Sequence, residues 1–150
     1  MTFILISDLD GTLLGQHDFD FDLIKSDIIN LLDSGHLLVV ASSKSKVEIE
    51  SFCDELGRSV PFIYENGAGA ENFNLFNEIE APPNSRQNPK AIRTDKLLTI
   101  WERYIPLYLK SQCHFVKDMD GGAQQACLGL GATALKRAMK RSFSLPFTFS

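Results

Sequence analysis

Three short apolar runs in the first half of the chain predict β-strands. They cover Phe3–Ser7, Leu37–Ala41 and Pro61–Tyr64. The first two runs are apolar at successive positions rather than at every second one, which is typical of strands covered on both faces of a parallel sheet. We therefore expect a sheet whose first two strands are buried on both sides.

Two amphipathic segments between these runs predict helices. Apolar side chains recur at helical spacing over residues 22–33, and Gly35 is placed to end that helix. Ser45 to Glu48 (SKVE) fits a capping box, and the apolar stripe that follows it ends at Gly57. Strand, helix, strand, helix, strand is the pattern of an α/β fold with a parallel sheet flanked by helices.

A polar segment with three prolines, APPNSRQNPK at Ala81–Lys90, predicts a domain boundary. Residues 1–84 carry 4 basic and 15 acidic side chains, a balance of −11, whereas residues 85–150 carry 11 and 4, a balance of +7. Such opposite charges either steer an anionic substrate between the two parts or only attract the parts to each other. In the second part, apolar residues at helical spacing before Pro106 predict a helix that the proline ends.

The composition narrows the class of protein. Hydrophobic residues make up 44% of the chain, and no apolar run approaches the roughly 20 residues of a membrane span. The N-terminus MTFILISD lacks a basic region, which argues against a signal peptide and for a cytoplasmic protein.

Cys53, Cys113 and Cys127 are widely spaced, which argues against a disulfide framework or a zinc site. A net charge of −4 argues against a general nucleic-acid binder.

Two carboxylates, Asp8 and Asp10, follow the first predicted strand in the stretch FILISDLDGTLL. Ligands of open parallel sheets bind beyond the carboxyl ends of the strands, so both acids fall where a ligand is expected. Acids this close repel each other unless a cation lies between them, and Mg²⁺ binds through one or two carboxylates plus substrate phosphate. Gly11 permits a sharp turn, and Thr12 offers a hydroxyl that could orient Asp10. The alternative is that these strand-end acids only form a turn.

The second strand also ends in polar residues, in the stretch VVASSKS. Ser42 follows the strand, and Ser43 and Lys44 lie where the next helix begins. Hydroxyls, amides and the helix N-terminus therefore meet in what resembles a phosphate cradle. Serines before a helix are most often only caps, so this stretch indicates phosphate binding only in combination with the two aspartates.

Several motifs resemble those of one enzyme superfamily. DLDGTLL resembles the first motif of the haloacid dehalogenase superfamily, and together with ASSKS and PFIYENGAG it resembles the mannosyl-3-phosphoglycerate phosphatase branch. The stretch FVKDMDGGAQQACLGLGATALKRAMKRSFSLPF is similar to the cap segment of that branch. The resemblance covers almost the whole chain. It implies a partial Rossmann-like core over residues 1–84 and a partial α+β cap over residues 85–150.

The resemblance implies a Mg²⁺-dependent hydrolase of phosphomonoesters with a phosphorylated sugar or glycerate as its substrate. Asp8 would form an aspartyl phosphate, Asp10 would act as acid and base, Thr12 would position Asp10, and Ser42 would bind the phosphoryl group. Asp8 and the Asp10 backbone carbonyl would hold the Mg²⁺. The implied substrate contacts are Gly11, Ser43, Lys44, Glu65, Asn66 and Gly67, although the last three equally fit a polar turn that closes the third strand.

The sequence also departs from this branch, whose members are longer. Their chain returns to the core after the cap with a phosphate-binding Lys and an acidic Gly-Asp-x-x-x-Asp motif, and this sequence has neither. Asp118 and Asp120 align with the cap and are not assigned to the metal site. We expect the C-terminal half of the core to be missing and catalysis to be weak or absent. The loss of core strands would leave the edge of the third or central strand of the sheet unpaired, which would favour self-association.

Two other functions are compatible with parts of the pattern. A non-catalytic phosphate-binding homologue would explain the missing motifs, and it would bind phosphate without turnover. A receiver-type signalling domain also uses strand-end acids and Mg²⁺, but it carries an acceptor Asp on its third strand, and PFIYENG has none. The partner that we expect is a small phosphorylated substrate rather than a nucleic acid or a membrane.

Overall fold

The computed structural model of the chain describes residues 2–16, 18–75 and 84–150, without the side chain of Leu75. Residues 81–83, which begin the predicted boundary segment, lie outside the described residues. The chain divides into two compact units, Met1–Ala91 and Ile92–Ser150. The first unit ends at residue 91 rather than at residue 84, because Ser85–Gln87 is a strand of its sheet.

The first unit is an α/β fold in which helices flank a sheet whose first three strands are parallel. Its elements are β1 (Ile4–Ser7), α1 (Asp22–Asp33), β2 (Leu37–Ala41), α2 (Lys46–Leu56), β3 (Phe62–Tyr64), β4 (Gly69–Glu71) and β5 (Ser85–Gln87). The strand order is β1-β2-β3-β4-β5, with β4 and β5 antiparallel to their neighbours. The predicted alternation of strands and helices is confirmed.

Local interactions fix the ends of α2. The Glu48 amide donates to Ser45 Oγ at 3.4 Å, and the Ser45 amide donates to the Glu48 carboxylate at 2.8 Å, so the predicted capping box is present. Gly57 ends the helix in the left-handed conformation, with φ at 72°. Between these ends the apolar stripe is buried, with Ile49 fully buried and Phe52 4% exposed.

The two strands that were expected to be buried on both faces differ. In β2, Leu38, Val39 and Val40 are buried, as predicted. In β1 the prediction is wrong, because Ile4 is 57% exposed and Ile6 is 71% exposed. The physical reason is position: β1 pairs only with β2 among the described strands and therefore forms an edge of the sheet.

The sheet reverses direction after β3, which the apolar pattern did not predict. The expected free edge at the third strand is therefore absent among the described strands, because β3 pairs with β2 on one side and with β4 on the other. A 3₁₀ turn over Glu65–Gly67 joins β3 to β4, and a second one follows β4 at Phe73–Leu75. Gly69 opens β4 directly against the ring of Tyr64, and any Cβ at this position would overlap that ring. A glycine is therefore required here because of close approach rather than because of backbone freedom.

The second unit contains helices and a two-stranded antiparallel sheet. Its elements are α3 (Thr94–Tyr104), α4 (Leu107–Lys110), β6 (Cys113–Phe115), a 3₁₀ turn (Val116–Asp118), α5 (Gly121–Leu128), α6 (Ala132–Ala138) and β7 (Phe147–Phe149). The predicted helix before Pro106 is confirmed as α3. Trp101 packs edge-on against Phe115 at 5.1 Å between ring centroids. Within the described ranges, no helix is long and apolar enough to cross a membrane.

Candidate active site

The segment after β1 presents its two aspartates on either side of a buried anchor. Leu9 has no exposed surface, and its carbonyl accepts hydrogen bonds from the amides of Thr12 at 3.1 Å and Leu14 at 2.8 Å. The flanking residues, Asp8 and Asp10, are both exposed. Leu9 therefore anchors the loop, whereas the side chains of Asp8 and Asp10 face solvent.

The turn after Asp10 depends on Gly11, which has φ at 68°. This left-handed conformation costs a glycine little and strains other residues. Thr12 is exposed, and its described hydrogen bond is made by the backbone amide rather than by the hydroxyl. The role of the Thr12 hydroxyl in orienting Asp10 therefore stays a prediction.

The segment after β2 is more deeply buried than the segment after β1. Ser42 is 6% exposed and Lys44 is 8% exposed, whereas Ser43 is exposed. The Ser42 amide donates to the Ile63 carbonyl at 3.0 Å, and Ser42 Oγ lies 3.4 Å from the Lys44 amide, from which it accepts a hydrogen bond. The segment is therefore held on one side by β3 and on the other by the start of α2.

The segment after β3 is joined to the segment after β2 through backbone hydrogen bonds. The Glu65 amide donates to the Lys44 carbonyl at 2.9 Å, and the Asn66 amide donates to the Ser42 carbonyl at 3.2 Å. Glu65, Asn66 and Gly67 all have positive φ values, of 45°, 58° and 90°. Glu65 is buried and Asn66 is exposed, so the turn both closes the strand and borders the site.

Lys44 connects the segment after β2 to the segment after β1. Its Nζ lies 3.0 Å from Asp10 Oδ1 and 3.4 Å from Glu48 Oε1. The structure thus brings Asp10, Ser42 and Lys44 together with the Glu65–Gly67 turn. Asp8 follows β1 on the same segment as Asp10, and its Oδ1 accepts the Leu9 amide at 2.7 Å.

Asp8 and Asp10 supply donors of the chemistry that Mg²⁺ prefers, namely exposed carboxylate and backbone carbonyl oxygens. Within the described part of the chain, no three His, Cys, Asp or Glu side chains lie close enough together to hold a metal ion. These two residues therefore fit the partial coordination of an ion that keeps several waters, rather than a protein cage that encloses the ion.

Asp118 and Asp120 make local contacts within the second unit. Asp120 caps α5 by accepting the Ala123 amide at 2.9 Å. Asp118 pairs with Lys117, whose Nζ lies 2.7 Å from Asp118 Oδ1. That neither residue belongs to a metal site stays a prediction.

A second polar cluster, which the sequence pattern did not predict, lies around Glu71 in β4. Glu71 is 7% exposed and accepts hydrogen bonds from Ser85 Oγ at 2.7 Å and from Lys46 Nζ at 2.9 Å. The bond to Glu71 raises the pKa of Lys46, and burial raises the pKa of Tyr64. No motif marks these residues, because they come from separate elements that only the antiparallel turn of the sheet brings together.

Sequence reasoning also missed two neighbours of Lys44. Glu48 was identified only as a capping residue, and Phe19 was assigned no function. The Phe19 ring centroid lies 5.0 Å from Lys44 Nζ, a cation–π distance. The sequence signal for Glu48 was present, because residues 44 and 48 are one helical turn apart and carry opposite charges.

Comparisons with known proteins agree on one family. The sequence profile of haloacid dehalogenase-like hydrolases matches residues 5–94. A glucosyl-3-phosphoglycerate/mannosyl-3-phosphoglycerate phosphatase from Persephonella marina is 38% identical over an alignment of 78 residues that covers 48% of this chain and 29% of that protein. A phosphatase with the same name from Methanococcoides burtonii is 36% identical over 67 residues, 45% of this chain and 25% of that protein. The chain thus spans less than a third of the length of the curated relatives it matches.

Two solved structures share the fold. A haloacid dehalogenase-like hydrolase from B. subtilis superposes with a TM-score of 0.51 at 20% identity, over 77% of this chain and 36% of that chain. A hypothetical protein from Geobacillus kaustophilus HTA426 superposes with a TM-score of 0.55 at 16% identity, over 86% of this chain and 49% of that chain. The fold similarity therefore extends further along the chain than the matches to the two curated phosphatases.

Proposed function

Because the chain belongs to the haloacid dehalogenase-like hydrolase family, whose profile covers residues 5–94, we propose that it acts in Mg²⁺-dependent hydrolysis of phosphomonoesters. The observation that carries this proposal is the contact between the two strand-end segments. Lys44 reaches Asp10 through its ammonium at 3.0 Å and Ser42 Oγ through its amide at 3.4 Å. An acid, a hydroxyl and a cation thus meet beside Asp8, which follows the same strand as Asp10.

The reaction that we propose has two steps. In the first, a carboxylate oxygen of Asp8 bonds to phosphorus while the bond to the leaving oxygen breaks and Asp10 protonates that oxygen. In the second, a water attacks phosphorus, gives its proton to Asp10, and releases phosphate from Asp8. The Ser42 hydroxyl donates a hydrogen bond to the transferring phosphoryl group, and Thr12 orients Asp10. Ser43, Lys44 and the segment Glu65–Gly67 contact the substrate, with Gly11 bringing the backbone close to it.

Asp8 and the Asp10 backbone carbonyl would hold the Mg²⁺, which when bound supplies positive charge for the transferring phosphoryl group. Their oxygen donors have the right chemistry for a hard cation. We propose that turnover by this chain is weak, because no third carboxylate joins these two among the described residues. Loss of one preorganised charge at a transition state lowers the rate by about 10²- to 10³-fold.

The substrate class that we propose is a phosphorylated sugar or glycerate derivative. The support is the name shared by the two curated relatives, which act on glucosyl- and mannosyl-3-phosphoglycerate. Since the matched residues are only 48% and 45% of this chain, the identity of the substrate is an inference from relatives rather than from the site. We also propose a cytoplasmic location, which three free cysteines favour.

The test is phosphate release from mannosyl-3-phosphoglycerate and from an aryl phosphate, with Mg²⁺ and with EDTA. We expect slow, metal-dependent release by the wild-type chain and none by Asp8→Asn. Asp54→Asn, which changes an exposed aspartate of α2, is the matched control and should keep the wild-type rate. If Asp8→Asn releases phosphate as fast as Asp54→Asn, the proposed nucleophile is wrong. If the wild-type chain binds phosphate without releasing any, it is the non-catalytic homologue instead.

We further propose that two copies of the chain associate through β1. Phe3, Ile4, Leu5 and Ile6 are 53%, 57%, 40% and 71% exposed on a strand that pairs on one side only among the described strands. Residues 2–7 carry no charge, so two such strands would not repel each other. Edge strands without charge or proline are a template for further pairing, and an antiparallel pair of identical strands closes into a two-fold dimer.

Sedimentation velocity over a range of protein concentrations tests this association. We expect Ile6→Lys to shift the chain to the monomer, because a charge on a free edge opposes strand pairing. Leu23→Lys is the control, since Leu23 is 94% exposed on α1 and also apolar. A wild-type chain that is monomeric at every concentration would refute the association.

A further inference from the structure

Lys44 is buried, although it lies in the polar segment before α2. The residue is only 8% exposed, and its ammonium lies between the carboxylates of Asp10, at 3.0 Å, and Glu48, at 3.4 Å. A lysine side chain has four rotatable bonds and occupies many rotamers when it is free in solvent. Something in the structure must therefore hold this ammonium beside Asp10.

Glu48 is the first restraint. Its Oε2 accepts hydrogen bonds from both the amide and the hydroxyl of Ser45, each at 2.8 Å, while its Oε1 accepts from Lys44 Nζ. Ser45 has no exposed surface, so the capping box fixes the carboxylate within the start of α2. The same side chain that begins the helix thus sets the position of the lysine ammonium.

Phe19 is the second restraint. Its ring centroid lies 5.0 Å from Lys44 Nζ. The ring is carried by a closed loop, in which the Gly15 amide donates to the Asp20 carbonyl at 2.9 Å and the Phe19 amide donates to the Gly15 carbonyl at 3.1 Å. Phe19 has φ at 56°, an uncommon conformation for an aromatic residue, so the loop places this ring at a local backbone cost.

We propose that Glu48 and Phe19 are positioning residues that hold Lys44 as a fixed cation beside Asp10, ready for the transferring phosphoryl group. The role toward phosphate rests on the proposed function, whereas the positioning itself does not. A cation that is already in place stabilises developing charge without reorganisation at the moment of reaction.

Amine labelling tests the positioning without any need for turnover. Folded protein is acetylated briefly, and the extent of reaction at each lysine is read by mass spectrometry. Glu48→Gln keeps an acceptor for the Ser45 amide but loses the charge that faces Lys44. We expect about tenfold faster acetylation of Lys44 in this variant, because one hydrogen bond to a charged group changes an equilibrium by about that factor. Phe19→Leu should give a smaller increase in the same direction.

Glu50→Gln is the matched control for Glu48→Gln. Glu50 lies on the same helix and pairs with Lys46 at 3.8 Å with the same spacing along the chain. We expect wild-type labelling of Lys44 in this variant. Lys90, which is exposed in the first unit, serves as an internal standard for the amount of reagent in each labelling reaction. Equal labelling of Lys44 in wild type and Glu48→Gln, with Lys90 unchanged, would overturn the positioning.

Phosphate-release kinetics then test the function of the fixed cation. With aryl phosphate as substrate, Glu48→Gln should lower kcat by about tenfold or more, and Lys44→Arg should retain more activity than Lys44→Met. Lys44→Met with the wild-type kcat would refute the role toward phosphate. If Lys44 labelling responds to Glu48→Gln while the wild-type chain releases no phosphate, the positioning is supported and the proposed function fails.

Discussion

The two units of the chain differ in how they are held together. The first unit has a buried core in which Val40, Ile49 and Phe62 are at most 1% exposed. Among the described apolar residues of the second unit, only Val116, Leu135 and Ala138 are buried, and α3 and α5 contain no buried residue. Every candidate catalytic residue lies in the unit with the larger core. This contrast indicates that the site is built on the part of the chain that can fix side chains most firmly.

The strongest test of this difference compares one core substitution from each unit. Phe62→Ala should lower the free energy of unfolding of the first unit by about 3–5 kcal/mol, the usual cost of removing a buried aromatic ring. Leu135→Ala should cost the second unit about 2 kcal/mol, at the low end for a buried leucine, because few of the described residues of that unit are buried. Hydrogen exchange of each unit's amides measures both effects. Equal losses would show that the second unit has a core as firm as the first.

Cysteine reactivity should separate the units next. Burial raises the pKa of the Cys53 thiol in the first unit, so this group stays protonated and shielded, whereas Cys127 on α5 is exposed. We expect Cys53 to react with a maleimide at pH 7.5 at least about a hundredfold more slowly than Cys127, since it must wait for local opening. Under denaturing conditions the two rates should converge. Similar rates in the folded protein would mean that α2 opens freely.

Helix capping offers a third comparison. Ser45 begins α2 with no exposed surface, and Asp120 begins α5 as an exposed cap. We expect Ser45→Ala to cost about 2 kcal/mol, at the upper end for caps, and Asp120→Ala about 0.5–1 kcal/mol. Urea unfolding followed by circular dichroism gives both values. If Asp120→Ala lowers the free energy of unfolding more than Ser45→Ala does, the second unit depends on its helix caps more than the exposure of Asp120 indicates.

The smallest expected effect is the pH dependence of the stabilisation that the Lys46–Glu71 ion pair gives to the folded chain. The pKa of Lys46 is raised by its hydrogen bond to Glu71, so the folded state holds this proton more tightly than the unfolded state. The resulting stabilisation is complete below about pH 10.5 and disappears as pH rises through the higher folded pKa. It should not exceed about 1 kcal/mol, because the Lys46 side chain is 40% exposed.

Thermal unfolding from pH 9 to pH 11.5 tests this dependence. We expect the wild-type chain to lose more stability over that range than Lys46→Met, whose side chain cannot titrate. Lys90→Met, which alters an exposed lysine, is the control and should follow the wild-type curve. A steeper loss in Lys46→Met than in wild type would contradict the direction of the shift.

Most helices and strands of the first unit could be predicted, because helix caps and apolar runs depend on residues that are close together in the sequence. The capping box at Ser45 and the glycine at 57 act within one helical turn, and the structure places the ends of α2 accordingly. The exposure of β1 could not be predicted in this way. An apolar run indicates a strand that favours burial, but whether it is buried depends on residues that are distant in the sequence.

The candidate site was predictable to a similar extent. Asp10, Ser42 and Lys44 could be placed near each other, because parallel strands end at a common edge of the sheet. The contacts of Lys44 with Glu48 and Phe19 could not be, because they depend on a rotamer and on a loop with positive φ at Phe19. Gly15 and Asp18 do mark a turn in this loop, where Asp18 Oδ1 accepts the Asp20 amide at 3.2 Å, but neither residue predicts a positive φ at the aromatic residue between the two aspartates.

The close approach of Gly69 to Tyr64 has a consequence for the history of this sequence. Since any side chain at residue 69 would occupy the space of the aromatic ring, the two positions cannot drift independently. A lineage could gain a larger residue at 69 only after, or together with, a smaller one at 64. In an alignment of related chains these two columns should therefore covary, and that covariation would mark the hairpin of β3 and β4 in sequences whose strands are too short to be recognised by pattern.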